Sequence, residues 1–374
     1  MVYCTEVRRI MNDPFEGEIV KPEPRDGFYD DAERSLANRN SGTLLETLSL
    51  DITPIGTHYL LTHFDTPIIN RQDHVLRFEG DFDEPFEIPM EELLSLPQVT
   101  LPVTLECAGN GRVGMSPRRY SMPWGYEAVG TSEWTGTLLW PLIANAKPNR
   151  SVIEFSFTGA DFGYDKGIGH LYGRSLTVEQ AKDLDVLLVY EMNGQPLLPQ
   201  HGSPLRLIVP GWYGMASVKW LTEIKALSEP YNGFQQVQTY RYRNSAIDVG
   251  RPVTEILVKS LMVPPGVPDF VTRDRCLKAG TIRVEGRAWS GAGKNISEVE
   301  FGINGKWEKA KILDKVGKYA WTKWVFDWEA KPGQYILQCR ATDELGCEQP
   351  KEPTWNLGGF GNNSPHSIKV FVKN

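Results

Sequence analysis

The chain has 374 residues, 41% of them hydrophobic, which is enough to bury two domain cores. A formal net charge of -7 without long Lys/Arg runs argues against nucleic acid or an acidic membrane as the main partner and points to small molecules. The five cysteines, Cys4, Cys107, Cys276, Cys339 and Cys347, are widely spaced and form no CxxC pair, which excludes a disulfide framework, a cysteine-rich zinc site and a c-type haem attachment. The first 18 residues hold no apolar core and no later stretch runs 18 apolar residues, so the protein as encoded is expected to stay in the cytoplasm, with no membrane partner.

Residues 1–50 are polar and charged and read as an extended arm lying on the domain that follows. From Asp51 the pattern tightens. The run Thr57 to Pro67 contains His63, and His74 to Gly80 alternates with period two, as a strand does. Phe86 to Leu94 predicts a strand passing into a short helix with Pro89 near its first turn. Pro102 to Leu105 then ends a buried strand at Thr104 Leu105 Glu106 Cys107 Ala108 Gly109 Asn110 Gly111 Arg112. The small residues after Cys107 let the backbone turn and approach a bound group closely, so Cys107 is a candidate soft-metal ligand. By residue type alone a buried apolar cysteine is the first reading. In the loop Met115 to Tyr126, Arg118 and Arg119 read as a solvated basic face.

Ser151 to Phe157 alternates as a strand and ends in Thr158 Gly159 Ala160 Asp161, where an aspartate capping its own turn is one reading and a ligand contact the other. Val178 to Leu184 predicts a helix. His201, Arg206 and Lys219 stand in strand-like blocks, where by residue type alone each reads first as a surface charge. Tyr240 and Tyr242 follow Gly233 Phe234, and either also suits a packed strand. Val253 to Leu261 predicts a strand. From Gly280 short alternating runs recur between turns, which suggests a β-sandwich.

The Cys107 segment resembles the molybdenum-ligand motif of the sulfite oxidase family, usually CAGNRR, with Gly111 at the fifth place and Arg112 keeping the sixth. Further matches follow in the family's order. His63 and Pro67 fit FVRNHLPVP; Ala128 to Gly136 fits a tryptophan-glycine turn leading into a helix, with Trp134 packing; Thr158 to Asp161 fits FEGLD; YEMNGQPL and VKWL are nearly identical; Trp289 and Trp355 to Gly359 fit the C-terminal domain.

The resemblance implies an α+β protein: a mixed α/β molybdopterin domain over residues 51–248 after the 1–50 arm, then an all-β immunoglobulin-like sandwich over 249–374 that forms a homodimer. It implies a cytoplasmic molybdenum oxidoreductase carrying one pterin dithiolene and no haem in this chain, with oxygen-atom transfer on sulfite or a related sulfur or nitrogen oxide. Electrons would leave to oxygen or to a separate acceptor. Cys107 would bind the metal; His63, Asp161, His201, Arg206 and Lys219 would hold the pterin; Arg112 and Tyr240 would face the substrate, with Tyr242 a rival to Tyr240. One departure stands out: the family's substrate arginine, two residues before the histidine, is Leu61 here. The alternative from another class is a binding or structural protein that kept the fold and lost catalysis, since fold alone does not dictate function.

Overall fold

The computed structural model describes residues 29–374, so the first half of the expected N-terminal arm lies outside the described residues. The rest of the arm is not simply extended. Residues Asp31–Arg39 form helix α1, started by the Asp30 side chain accepting the Glu33 N–H at 2.9 Å.

Two sheets build the first domain. One has the order β2-β1-β10-β5-β6, from β1 (Val75–Gly80), β2 (Phe86–Pro89), β5 (Glu154–Asp165), β6 (Ile168–Thr177) and β10 (Leu221–Leu227). The β1–β10 pair is parallel and the others are antiparallel. The second sheet joins β3 (Val99–Glu106), β4 (Val129–Leu138), β7 (Leu187–Met192) and β8 (Gln195–Pro196), with β9 (Arg206–Ile208) also pairing β7.

Short helices α2 (Met90–Ser95), α3 (Leu139–Asn145) and α4 (Val178–Asp183) flank these strands. The α4 start is a capping box between Thr177 and Gln180, two residues that satisfy each other's end of the helix. Phe78, Phe155, Phe157, Leu188, Leu207 and Ile224 are buried in one shared core, so apolar strand faces are what press these layers together.

Three expectations need correction here. Ala128 to Gly136 is no turn: Val129–Leu138 is a strand in the middle of its sheet, and Gly136 is needed there because a Cβ would run into the Leu188 carbonyl of the neighbouring strand. β5 does not end at Phe157 but continues through a bulge between Thr158 and Phe162. Val253 to Val258 is irregular, and only Lys259–Met262 forms a strand (β13).

A short hairpin of β11 (Arg241–Tyr242) and β12 (Arg251–Pro252) leads to the second domain, and the expected boundary at 248/249 falls in its loop. Beyond it, two sheets face each other. One has the order β13-β16-β20-β19, with β16 (Gly280–Trp289), β19 (Lys311–Ile312) and β20 (Thr322–Ala330). The other has the order β14-β15-β22-β21-β17-β18, with β14 (Val267–Pro268), β15 (Arg275–Lys278), β17 (Ile296–Ile303), β18 (Lys306–Lys309), β21 (Gly333–Asp343) and β22 (His366–Lys373). Val284, Phe301, Trp324, Leu337 and Val370 fill the space between them, as in a sandwich.

The two domains share structure at their seam. The Thr104 N–H donates to the Tyr319 carbonyl at 2.9 Å, and the Arg287 guanidinium donates to the carbonyls of Leu48 and Ser49 and to the Asp51 carboxylate.

Candidate active site

A cleft lies where loops from both sheets of the first domain meet. Seven of the eight residues singled out in the sequence line it: His63, Cys107, Asp161, His201, Arg206, Lys219 and Tyr240. They come from sequence positions spread over nearly 180 residues, and different elements deliver them.

Cys107 follows the last residue of β3, and the chain turns immediately, with Gly111 at φ 87°. A side chain at Gly109 would meet the Arg112 guanidinium at 2.5 Å, so the small residues predicted there answer a packing need. Burial raises the thiol's pKa, while the nearby Arg112 cation acts in the opposite sense. Asp161 sits in the β5 bulge, a device that re-aims side chains out of a sheet. Arg206 opens β9, and Lys219 precedes β10. Tyr240 ends a single π-helical turn, Gln235–Thr239.

The electrostatics of the cleft are those of an anion site with one carboxylate. Arg206 donates to the carbonyls of His201 at 2.9 Å and Ser217 at 3.3 Å and lies over the Trp134 ring; burial lowers its pKa to about 10, still charged at neutral pH. Lys219 donates to the carbonyls of Leu61 and Gln200, both at 3.0 Å, which leaves its third N–H free of partners among the described residues. Burial, aided by Arg206, brings its pKa down to about 7. Buried His201 is held neutral, its pKa near 3, first by burial and then by His58, Arg206 and Lys219, and the pKa of His63, exposed on the cleft, is lowered by the surrounding protein and by Lys219. Burial pushes Asp161 up to about 6.

His63 Nε2 and the Tyr240 hydroxyl are 2.6 Å apart, and burial raises the phenol's pKa well above its usual range. Tyr240 therefore stays protonated. The Phe360 ring of the second domain stacks on it at 5.2 Å.

Arg112 is the exception among the eight. It is buried beneath the Cys107 loop, donating to the Met122 carbonyl at 3.0 Å with its guanidinium over Phe360, and it does not line the cleft. Tyr242 does not line the cleft either and packs under Arg251. Arg118 is not part of a solvated face: it forms a two-pronged ion pair with the wholly buried Glu33 of α1. Trp134 packs, as expected, and carries Arg206.

His58, Tyr59, Tyr172, Gln200 and Ser217 also line the cleft and were not singled out. Four of them sit within five residues of His63, His201 or Lys219, so proximity to the recognised residues was the available signal; Tyr172 on β6 offered none.

Residues 63–235 match the oxidoreductase molybdopterin binding domain, and residues 251–373 match the Mo-co oxidoreductase dimerisation domain. This chain belongs to the sulfite oxidase family. Among curated relatives of this molybdenum oxidoreductase family it is 31% identical to the NADH nitrate reductase of Ulva prolifera, over 85% of this chain and 40% of that protein. It is 29% identical to the mitochondrial sulfite oxidase of Homo sapiens, over 86% of this chain and 62% of that protein. The chain thus spans 40% and 62% of the length of these two relatives. The sulfane dehydrogenase SoxCD from Paracoccus pantotrophus shares the fold, with a TM-score of 0.74 at 24% identity over 96% of both chains.

The family's cofactor is a molybdenum-pterin group. The cleft fits one. It offers a single cysteine sulfur as a soft donor, and three of its buried polar atoms, His58 Nε2, Asp161 Oδ1 and Arg206 Nε, have no hydrogen-bond partner among the described residues. Such atoms are costly to bury unless a ligand completes them.

Proposed function

We propose that the chain is a molybdenum oxidoreductase whose metal is bound by Cys107 and whose substrate is a sulfur or nitrogen oxide centre. The observation that carries this reading is the convergence of Cys107, His63, Asp161, His201, Arg206 and Lys219 on one cleft. When bound, the group supplies two-electron oxygen-atom transfer.

The chain's own residues do the rest. Arg206 and Lys219 bind the cofactor's phosphate, and a phosphate dianion beside Lys219 raises that ammonium's pKa and keeps it charged. Asp161 accepts N–H bonds from the pterin ring, and His201 and His63, neutral at working pH, offer ring nitrogens without adding charge. Tyr240 holds its proton at the phenolic oxygen, shares a hydrogen bond with His63, and orients substrate from that position. Arg112 contributes its charge to the Cys107 thiol from behind.

Leu61 lines the cleft where an arginine would grip an anion, so a substrate less charged or bulkier than sulfite is favoured. Electrons pass to oxygen or a separate acceptor. The sandwich, immunoglobulin-like in its paired sheets, makes a homodimer, and the domain limits are 51–248 and 249–374.

The deciding experiment is elemental analysis of protein made in a host competent in cofactor synthesis, followed by turnover of sulfite, organic sulfoxides and nitrate with artificial electron donors and acceptors. About one molybdenum per chain is expected, lost in Cys107→Ser because a hydroxyl ionises too poorly to replace a thiolate. Wild-type protein without molybdenum would refute the reading.

A further inference from the structure

The turn that carries Cys107 is held from the second domain by a buried polar lock. Glu106, the residue before Cys107, pairs with Lys259 of β13 at 2.8 Å, and both side chains are 1% exposed. Trp289 Nε1, from β16, donates to Glu106 Oε2 at 2.9 Å, and Asn110 Nδ2 donates to Glu106 Oε1 at 3.0 Å. Lys259 Nζ also donates to the Asn362 carbonyl at 2.7 Å and, more weakly, to the Asn110 carbonyl at 3.4 Å. Asn362 Nδ2 in turn donates to the Gly111 carbonyl at 2.6 Å, and the Gly361 N–H donates to the Ala108 carbonyl at 2.8 Å. Residues on both sides of Cys107 are therefore tied to three separate segments of the second domain.

Stability alone is a poor reason for this arrangement. Taking a carboxylate and an ammonium out of water costs more than a well-packed hydrophobic pair of similar volume would. What a fully satisfied buried network provides is a single geometry, because each of its bonds is directional and each broken bond leaves an unpaired polar group. Groups that orient a metal ligand from behind contribute to metal retention without touching the metal.

We propose that Lys259 is a positioning residue for Cys107: through Glu106, Asn110 and Asn362 it makes the second domain a working part of the metal site. The proposal rests on the reading of Cys107 as the molybdenum ligand.

The test compares full-length wild type, Lys259→Met and the double variant Glu106→Gln/Lys259→Met, all made in a host competent in cofactor synthesis. Three quantities are read: molybdenum per chain, melting temperature, and the rate at which iodoacetamide alkylates Cys107 in cofactor-stripped protein, mapped to that residue by mass spectrometry. Lys259→Met should lower the melting temperature, reduce molybdenum per chain about tenfold, and speed alkylation of Cys107 by about the same factor, as expected for loss of an outer group that orients a ligand. The double variant removes the stranded carboxylate, so its melting temperature should recover while molybdenum stays low and Cys107 stays reactive. If molybdenum and alkylation return to wild-type values together with the melting temperature, Lys259 is structural only and the proposal falls. Wild-type protein lacking molybdenum would remove the ligand reading, and the alkylation rates would still decide whether the lock holds the turn.

Discussion

At the scale of single residues, the same side-chain types carry different chemistry according to burial. Lys219 is half-buried and Lys259 fully buried, and Lys219 meets two backbone carbonyls at the wall of a cleft whereas Lys259 meets a carboxylate between domains. The most consequential residue for specificity is Leu61. A charge-assisted bond from arginine to an oxyanion contributes roughly 1.5–3 kcal/mol, or about ten- to a hundredfold in binding. Leu61→Arg should therefore lower the Michaelis constant for sulfite by at least about tenfold, measured by steady-state oxidation with an artificial acceptor. A wild type already saturated at micromolar sulfite, with no gain from arginine, would contradict this.

A second residue-scale prediction concerns acid. His366 lies buried in the sandwich, where its Nδ1 accepts the Met262 N–H at 3.1 Å, and burial, aided by the Lys259 charge, lowers its pKa from 6.5 to about 3. Between those values the unfolded chain binds a proton that the native chain does not. Stability contributed above pH 6.5 is thus lost as the pH falls, by about 1.4 kcal/mol for each pH unit. Denaturant melts from pH 6.5 to 4 should show a shallower acid slope in His366→Asn, by close to one proton; equal slopes would exclude His366 as a contributor.

At the scale of elements, the site depends on irregularities in otherwise regular strands. The β5 bulge places Asp161 in the cleft, and a Cβ at Gly159 would meet both Asp161 Oδ1 and the Lys219 carbonyl at 2.6 Å. Gly159→Ala should then displace Asp161 and Lys219 together and, on the proposed reading of these two residues, lower molybdenum per chain while the fold's circular dichroism is kept. Unchanged molybdenum would show that the bulge tolerates a side chain. Gly136→Ala is the contrasting case: there the clash is with the backbone of β7, so loss of sheet stability is expected instead, by about 1–3 kcal/mol as for other overpacked core sites.

At the scale of the molecule, the second domain matches a dimerisation domain and also reaches into the first. Phe360 stacks on Tyr240, and Lys259 holds Glu106. Sedimentation at micromolar concentration should give a two-fold dimer, closed pairing being the commonest arrangement of identical chains. A full-length monomer would contradict that. Removing one partner of a buried ion pair costs about 3–5 kcal/mol, so a chain cut at residue 250 should be an unstable monomer, poor in molybdenum.

Local patterns of the chain marked the strand leading to Cys107 and the alternating runs of the sandwich, since alternation is a property of neighbouring residues; the eight site residues were expected from the resemblance to the sulfite oxidase family, and seven of them line one cleft. Where strands continued through a bulge, as β5 does past Phe157, or ran through small polar residues, as β4 does, pairing with distant strands overrode the local signal. The same holds for Arg112 and Arg118. An arginine's sequence neighbours do not reveal whether it faces substrate, solvent or a buried carboxylate, and here Phe360 and Glu33, 248 and 85 positions away in the chain, settled it. The lock on Cys107 was invisible for that reason too: Glu106 and Lys259 stand 153 residues apart, and only folding both domains against one another brings the two charges out of water together.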